Sequence, residues 1–230
     1  MTSLPIGTPG VYDVGAMEAF VHRLPAAQQQ AALVLTFNLV RISGYANNFC
    51  AAVSLLEFTE IECNKLNQAV PKSSITIEIA RILGTLELWA EMGARDAAMT
   101  IFHFSKTLDA IRACLKDLPS VNGDVEHNKL REAAKRFRSE FPNAEKARHG
   151  VAHQAEITAS LDSIKANSVA GNLVFGALKG RIYTVTNEGK HHSLSITKQS
   201  HYKLVEIVDS VFKAFPSIVE DLPPVRRLVV

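Results

Sequence analysis

The chain has 230 residues, a formal net charge of +2, 47% hydrophobic residues and only 12 Gly and 9 Pro. These values are typical of a globular protein with a sizeable core, and they disfavour intrinsic disorder, a collagen-like repeat and a small disulfide scaffold. A net charge this close to zero does not predict nucleic-acid binding, so any contact with RNA or DNA has to be local.

The cysteine pattern and the hydropathy predict a cytoplasmic protein. Cys50, Cys63 and Cys114 form no CxxC pair and lie in apolar helical patterns, so we expect reduced core residues rather than disulfides or a zinc knuckle. The N-terminus lacks a basic region followed by an apolar run, and no stretch is apolar enough over a sufficient length to cross a bilayer. We therefore expect no membrane partner.

The first half of the chain is predicted to be helical after an irregular N-terminal arm at residues 1–13. From residue 14 to about 69 the composition is rich in Ala, Leu, Gln and Glu, and Gly44 in a polar stretch predicts a break at 43–48. A long helix follows from Leu83, because apolar or small residues recur every three or four positions as far as Leu115.

The second half begins with an amphipathic helix at 127–141, and a further helix is expected to open at Pro142 and Asn143. Short β-branched and aromatic runs at about 173–197, with the turn sequence Asn-Glu-Gly, predict a β-hairpin. A last helix is predicted at 199–215, before an irregular tail at 216–230. The apolar hairpin residues expected to bury one face are Leu173, Val174, Phe175, Ile182, Tyr183, Val185 and Ile196.

Together these elements predict an all-α fold. We expect one domain at 14–215, built as an antiparallel helical bundle with a small β-hairpin inserted before the last helix. The chain contains no Walker loop, Rossmann fingerprint, GxSxG elbow or HExxH zinc site. The candidate chemistry lies instead in one short segment, where Arg148 is followed directly by His149 and, after three more residues, by His153.

The Arg148, His149 and His153 arrangement resembles the signature of the HEPN superfamily (higher eukaryotes and prokaryotes nucleotide-binding). That signature is an Arg, then a polar residue, and a His four to six residues after the Arg. The stretch from Ala94 to Phe104 is also similar to an earlier helix of abortive-infection-type bacterial HEPN proteins, and the resemblance covers about residues 75–215.

The resemblance implies an antiparallel helical bundle that forms a homodimer, with the signature of both subunits in one cleft. It also implies a metal-independent endoribonuclease of toxin or phage-defence type that needs no cofactor. Some HEPN toxins carry a Tyr two residues after the signature His, where a partner nucleotidyltransferase modifies it. This chain has Ala155 there, so we do not expect regulation by that route.

Chemistry assigns roles to the same residues. Cleavage of RNA without a metal needs a group that exchanges a proton near neutral pH, which His153 would supply as a catalytic residue. Arg148 would bind the phosphate oxygens that gain charge in the transition state, because its guanidinium is planar and always charged. His149, Arg95 and Asp96 are candidate supporting residues, the last two if their helix faces the Arg148 helix.

Three other interpretations stay open from the sequence. His149, His153 and Glu156 have the spacing of a metal site on one helical face. Arg148 and His153 could instead be a solvated or structural pair. The segment could also belong to a non-catalytic helical module that binds a nucleotide, RNA or a protein partner such as an antitoxin.

Overall fold

The computed structural model describes residues 14–70 and 75–221, so the predicted arm at 1–13 and the tail residues 222–230 lie outside the described part. The described residues are mostly helical, with one small antiparallel sheet near the C-terminus. The helices are α1 (Val14–Arg23), α2 (Ala26–Ala69), α3 (Ile77–Cys114), α4 (Pro119–Asn122), α5 (His127–Glu140), α6 (Ala144–Ala152), α7 (Gln154–Ile157), α8 (Leu161–Asn167), α9 (Lys198–Phe212) and α10 (Pro216–Asp221). A short 3₁₀ turn at Leu115–Asp117 follows α3. The strands are β1 (Phe175–Lys179), β2 (Ile182–Asn187) and β3 (Lys190–Ser195).

The break predicted at 43–48 is wrong, because α2 runs without interruption through this stretch. Gly44 lies inside the helix with open space around it, where a glycine costs only about 1 kcal/mol relative to alanine. The apolar stripe continues across the stretch, and its buried members fix the helix against the core. These members are Leu39, Ile42, Ala46, Phe49 and Val53. The true break comes earlier, at Pro25, which ends α1.

The long helix predicted from Leu83 is confirmed, although it begins six residues earlier, at Ile77. Gly93, which could have kinked it, is a point of close packing instead. A Cβ at this position would lie 2.8 Å from Cδ1 of Leu56 and 3.2 Å from Cδ2 of Leu55, so any larger residue would require the Leu56 side chain to shift.

The chain divides into two compact units. The described part of the first unit contains residues 14–48, 103–142 and 202–221. In it, Phe104 of α3 stacks on Phe137 of α5 with ring centroids 5.3 Å apart, and α5 buries the apolar face that its sequence predicts. The predicted irregular tail is wrong for 216–221, because Pro216 opens α10, a position where its fixed φ suits a helix.

The second unit contains residues 49–102, as far as they are described, and 143–201. Its sheet has the order β1-β2-β3 with antiparallel pairing, so the predicted hairpin is in fact three strands. The predicted turn is confirmed: Glu188 (φ 51°) and Gly189 (φ 67°) form the two-residue loop between Asn187 and Lys190. Two positive φ values are typical of a type I′ turn, whose twist suits a hairpin.

One face of the sheet is buried, as predicted, but with fewer residues than expected. Tyr183 and Val185 on β2 are fully buried, whereas Ile182 is 50% exposed. Successive side chains of a strand point to opposite faces, so Ile182 lies opposite its buried neighbour. Near the start of β1 the register shifts between Phe175 and Ala177, at Gly176.

No helix in the described ranges combines the length and the apolar character that crossing a membrane requires.

Candidate functional site

The candidate motif lies where α6 ends. The sequence predicted one helix carrying Arg148, His149 and His153, but α6 stops at Ala152 and α7 begins at Gln154. His153 is the residue between them, with φ −114° and ψ 26°, outside helical geometry. Its backbone N–H still donates to the carbonyl of His149, at 3.1 Å, so the ring stays beside the last turn of α6.

The His153 ring joins Arg148 to Glu156. Nη1 of Arg148 lies 3.2 Å from Nε2 of the ring, and Nδ1 lies 2.5 Å from Oε2 of Glu156. A guanidinium only donates and a carboxylate only accepts, so Nδ1 carries the hydrogen and Nε2 presents its lone pair to the arginine. This arrangement fixes the tautomer of a neutral imidazole whose Nε2 can accept a proton.

The guanidinium of Arg148 packs on the aromatic ring of Phe102, a residue outside the motif that the sequence predicted. Its guanidinium carbon lies 4.8 Å from the ring centroid of Phe102 on α3, in cation–π geometry. Its Nε is buried without a hydrogen-bond partner among the described residues. The terminal nitrogens therefore provide the group's polar contacts, and Phe102 fixes the plane in which they point. The only sequence signal was the position of Phe102 within the Ala94–Phe104 stretch.

His149 stacks on His153, with ring centroids 4.5 Å apart and an interplanar angle of 27°. The pKa of His149 is lowered from its ordinary value, first by burial, then by the proximity of His153, since two protonated rings would repel each other, and then by the charge of Arg148. The nearby Glu188 opposes this shift and Lys146 adds to it. The environment therefore favours a neutral His149 beside the ring of His153.

Contacts with the sheet hold the motif on both sides. On α6, Nζ of Lys146 lies 2.6 and 2.7 Å from the two carboxylate oxygens of Glu188 in the β2–β3 turn, and this pairing lowers the pKa of Glu188. On α7, Nε2 of Gln154 donates to the carbonyl of Phe175, at 2.8 Å. Between these anchors, Gly150 packs directly on Val185, where an added Cβ would lie 2.7 Å from the valine Cβ.

The supporting residues Arg95 and Asp96 do not join the motif. Arg95 pairs with Glu91 at 3.6 Å, and its charge acts on the buried hydroxyl of Tyr183, whose pKa is raised mainly by burial. In the described part of the chain, no hydrogen bond connects Asp96 to His149 or His153; burial alone raises the pKa of its carboxyl. Neither residue therefore orients the imidazoles here.

The metal-site alternative gains no support. Within residues 14–70 and 75–221, no group of three or more His, Cys, Asp and Glu side chains is arranged to hold a metal ion. Glu156, the expected third ligand, instead accepts a hydrogen bond from Nδ1 of His153.

Comparisons with protein-family models, with curated proteins and with solved structures find no match to this chain.

The pKa of His149 leads to a pH prediction for stability. Burial also lowers the pKa of His201, so both groups bind protons more readily in the unfolded chain than in the folded one. The folded state is therefore most stable where both histidines are neutral in the folded and the unfolded chain. We expect the free energy of unfolding to fall as the pH drops below 6.5, the ordinary pKa of a histidine. Urea unfolding followed at a series of pH values between about 8 and about 5 measures it.

The matched variant for this pH dependence is His149→Gln. It removes the part that His149 contributes and keeps that of His201, so the curve should become shallower without flattening completely. Glu188, whose pKa is lowered, changes protonation below this window and does not contribute to it. An unchanged pH dependence in the variant would contradict the described environment of His149.

Proposed function

We propose that this protein is a HEPN-like endoribonuclease that cleaves RNA without a metal ion. The observation that carries the proposal is the alignment of Arg148, His153 and Glu156, with contacts of 3.2 and 2.5 Å at the two ring nitrogens. A carboxylate, an imidazole with one unprotonated nitrogen and a guanidinium are the groups that proton transfer at a phosphodiester requires.

The groups act in sequence on an RNA strand. Nε2 of His153 accepts the proton of a ribose 2′-hydroxyl, and the resulting oxygen attacks the adjacent phosphorus to form a 2′,3′-cyclic phosphate. The bond from phosphorus to the 5′-oxygen breaks, and this leaving oxygen takes a proton from water. The imidazolium that forms is stabilised by Glu156, which holds Nδ1–H. Arg148 turns its nitrogens from the ring to two phosphate oxygens, where a planar fork binds best.

The biological setting of the proposal follows the resemblance: a toxin or a phage-defence ribonuclease in the cytoplasm. Arg148 and His153 supply one guanidinium and one imidazole per chain to the phosphate, and a homodimer would double them in a shared cleft. Light scattering at micromolar concentration measures the mass, and a monomer would count against a shared cleft.

The experiment that tests the function compares two substrates in the presence of a chelator. Purified protein should cleave a single-stranded RNA in EDTA, and it should leave the all-deoxy strand of the same sequence intact, because that strand lacks the attacking 2′-hydroxyl. Products ending in a 2′,3′-cyclic phosphate should accumulate. Cleavage that requires an added divalent cation, or equal cleavage of the deoxy strand, would contradict the mechanism. RNA binding without cleavage would favour the non-catalytic module.

A further inference from the structure

A cleft with several cations in its lining lies in the first compact unit, at the end of α3 and the start of α5. Its volume is about 320 Å³, and Leu115 and Leu130 form its apolar floor. The exposed cations around it are Arg112, Lys116 and Arg131. Among residues 14–70 and 75–221, no carboxylate lines it. The cleft therefore combines positive charge with a small apolar surface.

These cations are not neutralised by the protein. Among the described residues, Arg112, Lys116 and Arg131 form no salt bridge, and Nη2 of Arg131 donates only to the neutral amide oxygen of Asn128. The cations on the other flank of α5 differ. Lys129 pairs with Glu126 and Arg136 pairs with Glu206. One flank of α5 is thus balanced within the fold and the other is free to bind an anion.

The charge is concentrated on this helix. Its 14 residues include five Lys or Arg and two Glu, a net +3, whereas the whole chain has a net +2. Arg131, Lys135 and Arg138 are exposed, and their spacing of four and three residues places them on one face. This basic ridge extends from the cleft along α5, with about 5 Å of rise between neighbouring cations.

We propose that the basic cleft and the ridge bind the phosphate backbone of a single-stranded RNA, at a surface that does not include Arg148 and His153. The choice of RNA among polyanions rests on the proposed function. A row of unpaired cations fits a chain of regularly spaced phosphates better than it fits one small anion.

The cleft itself has the size and chemistry for one nucleotide of that strand. A volume of 320 Å³ lies at the lower end of the range of about 300 to 1,000 Å³ for small-ligand sites. Arg112 and Arg131 can each bind phosphate oxygens through two nitrogens, and Lys116 adds a point charge. Nε2 of His127 donates to the carbonyl of Asn122, at 3.3 Å, and both residues line the cleft.

The test measures RNA binding in the full chain carrying His153→Ala, so that the strand stays intact. Anisotropy of a fluorescent uridine oligonucleotide, titrated at several salt concentrations, gives the affinity and its salt dependence. The variant Arg112→Gln/Lys116→Gln/Arg131→Gln should bind more weakly, and the slope of log affinity against log salt should become shallower by about 2, at about 0.7 for each lost phosphate contact.

A charge-matched control separates this surface from a general charge effect. Lys165, Lys179 and Lys190 are exposed and form no salt bridge among the described residues, and their triple Gln variant loses the same three charges. It should keep the original slope. If the triple cleft variant does not fold, Lys116→Gln and Arg131→Gln are measured singly, each with a slope change of about 0.7.

The outcomes distinguish this proposal from the proposed function. Equal effects of the two triple variants, or no effect of the cleft variant, would overturn the RNA surface. The RNA surface would also be overturned if inorganic phosphate or a polyglutamate bound in a way that depends on the cleft residues, and RNA binding did not depend on them. A loss of RNA affinity confined to the cleft variant supports the surface, even if the wild-type chain cleaves no RNA and the proposed catalysis fails.

Discussion

Replacing His153 by alanine should lower the rate of RNA cleavage by about 10²- to 10⁴-fold, the usual contribution of a positioned acid–base group. The expected cause is the loss of Nε2, the nitrogen that lies 3.2 Å from Arg148 and accepts a proton in the proposed mechanism. Single-turnover cleavage of a labelled RNA in EDTA measures the rate directly. The folded state should change little, because the His153 ring is partly exposed at a helix junction.

The neighbouring side chains provide graded controls for His153. The Arg148→Ala variant should also cleave RNA much more slowly than the wild type. Arg148→Lys should recover little of the lost rate, because a point charge cannot replace the planar guanidinium. Glu156→Gln should have a smaller effect, since an amide oxygen can still accept from Nδ1 but no longer stabilises an imidazolium.

His149→Ala separates this mechanism from metal catalysis. His149→Ala should lower the rate of RNA cleavage much less than His153→Ala does, whereas at a metal site the two substitutions would be equally damaging. Undiminished cleavage in both the Arg148→Ala and the His153→Ala variants would refute the proposed site.

The sequence predicted the helices and turns whose conformation depends on their own residues. The face of α5 that contains Leu130 and Phe137 was visible in the sequence, because helical periodicity alone places these residues together. The turn at Glu188 and Gly189 was also predictable, since two-residue hairpin loops need positive φ values that glycine adopts readily.

Long-range packing decided what the local patterns missed. Gly44 and its polar neighbours predicted a break, but the buried apolar stripe on either side keeps α2 continuous. The low helix propensity of Gly44 costs little by comparison. His153 was expected inside a helix, yet α6 ends one residue before it. A sequence pattern gives spacing on an ideal helix, and it does not show at which residue that helix ends.

In the candidate site too, local spacing predicted some residues and the fold brought in others. Arg148, His149 and His153 were named from their spacing, and the structure brings these three together. The Phe102 ring under Arg148 comes from another helix, 46 residues earlier in the chain. The partner of His153 Nδ1 was named only as a metal ligand, because spacing shows that Glu156 is near but does not show which atom it contacts.

Gly150→Ala should destabilise the protein, although alanine is the better helix former. The new Cβ would lie 2.7 Å from Cβ of Val185 and 2.8 and 3.0 Å from its two γ-carbons, so α6 has to move away from β2. Overpacking of this kind costs about 1 to 3 kcal/mol, which exceeds the helix-propensity gain of at most about 1 kcal/mol. Chemical denaturation measures the change.

The same displacement should slow RNA cleavage, because Arg148 is two residues from Gly150 on α6. A shift of about 1 Å can cost as much as 100-fold in rate when it misaligns reacting groups. Single-turnover cleavage by the folded variant, at a temperature below its transition, measures this effect separately from stability.

Gly84→Ala is the matched control, because Gly84 also lies within a helix but has nothing within 4 Å of an added Cβ. It should stabilise the protein by up to about 1 kcal/mol and leave cleavage unchanged.

In the Gly150→Ala background, Val185→Ala removes the two γ-carbons of Val185, so that only its Cβ still lies too close to the new Cβ of residue 150. A double-mutant cycle should therefore give a favourable coupling of about 0.5 to 3 kcal/mol. Equal effects of Gly150→Ala and Gly84→Ala, or additivity with Val185→Ala, would show that α6 is not held by this contact.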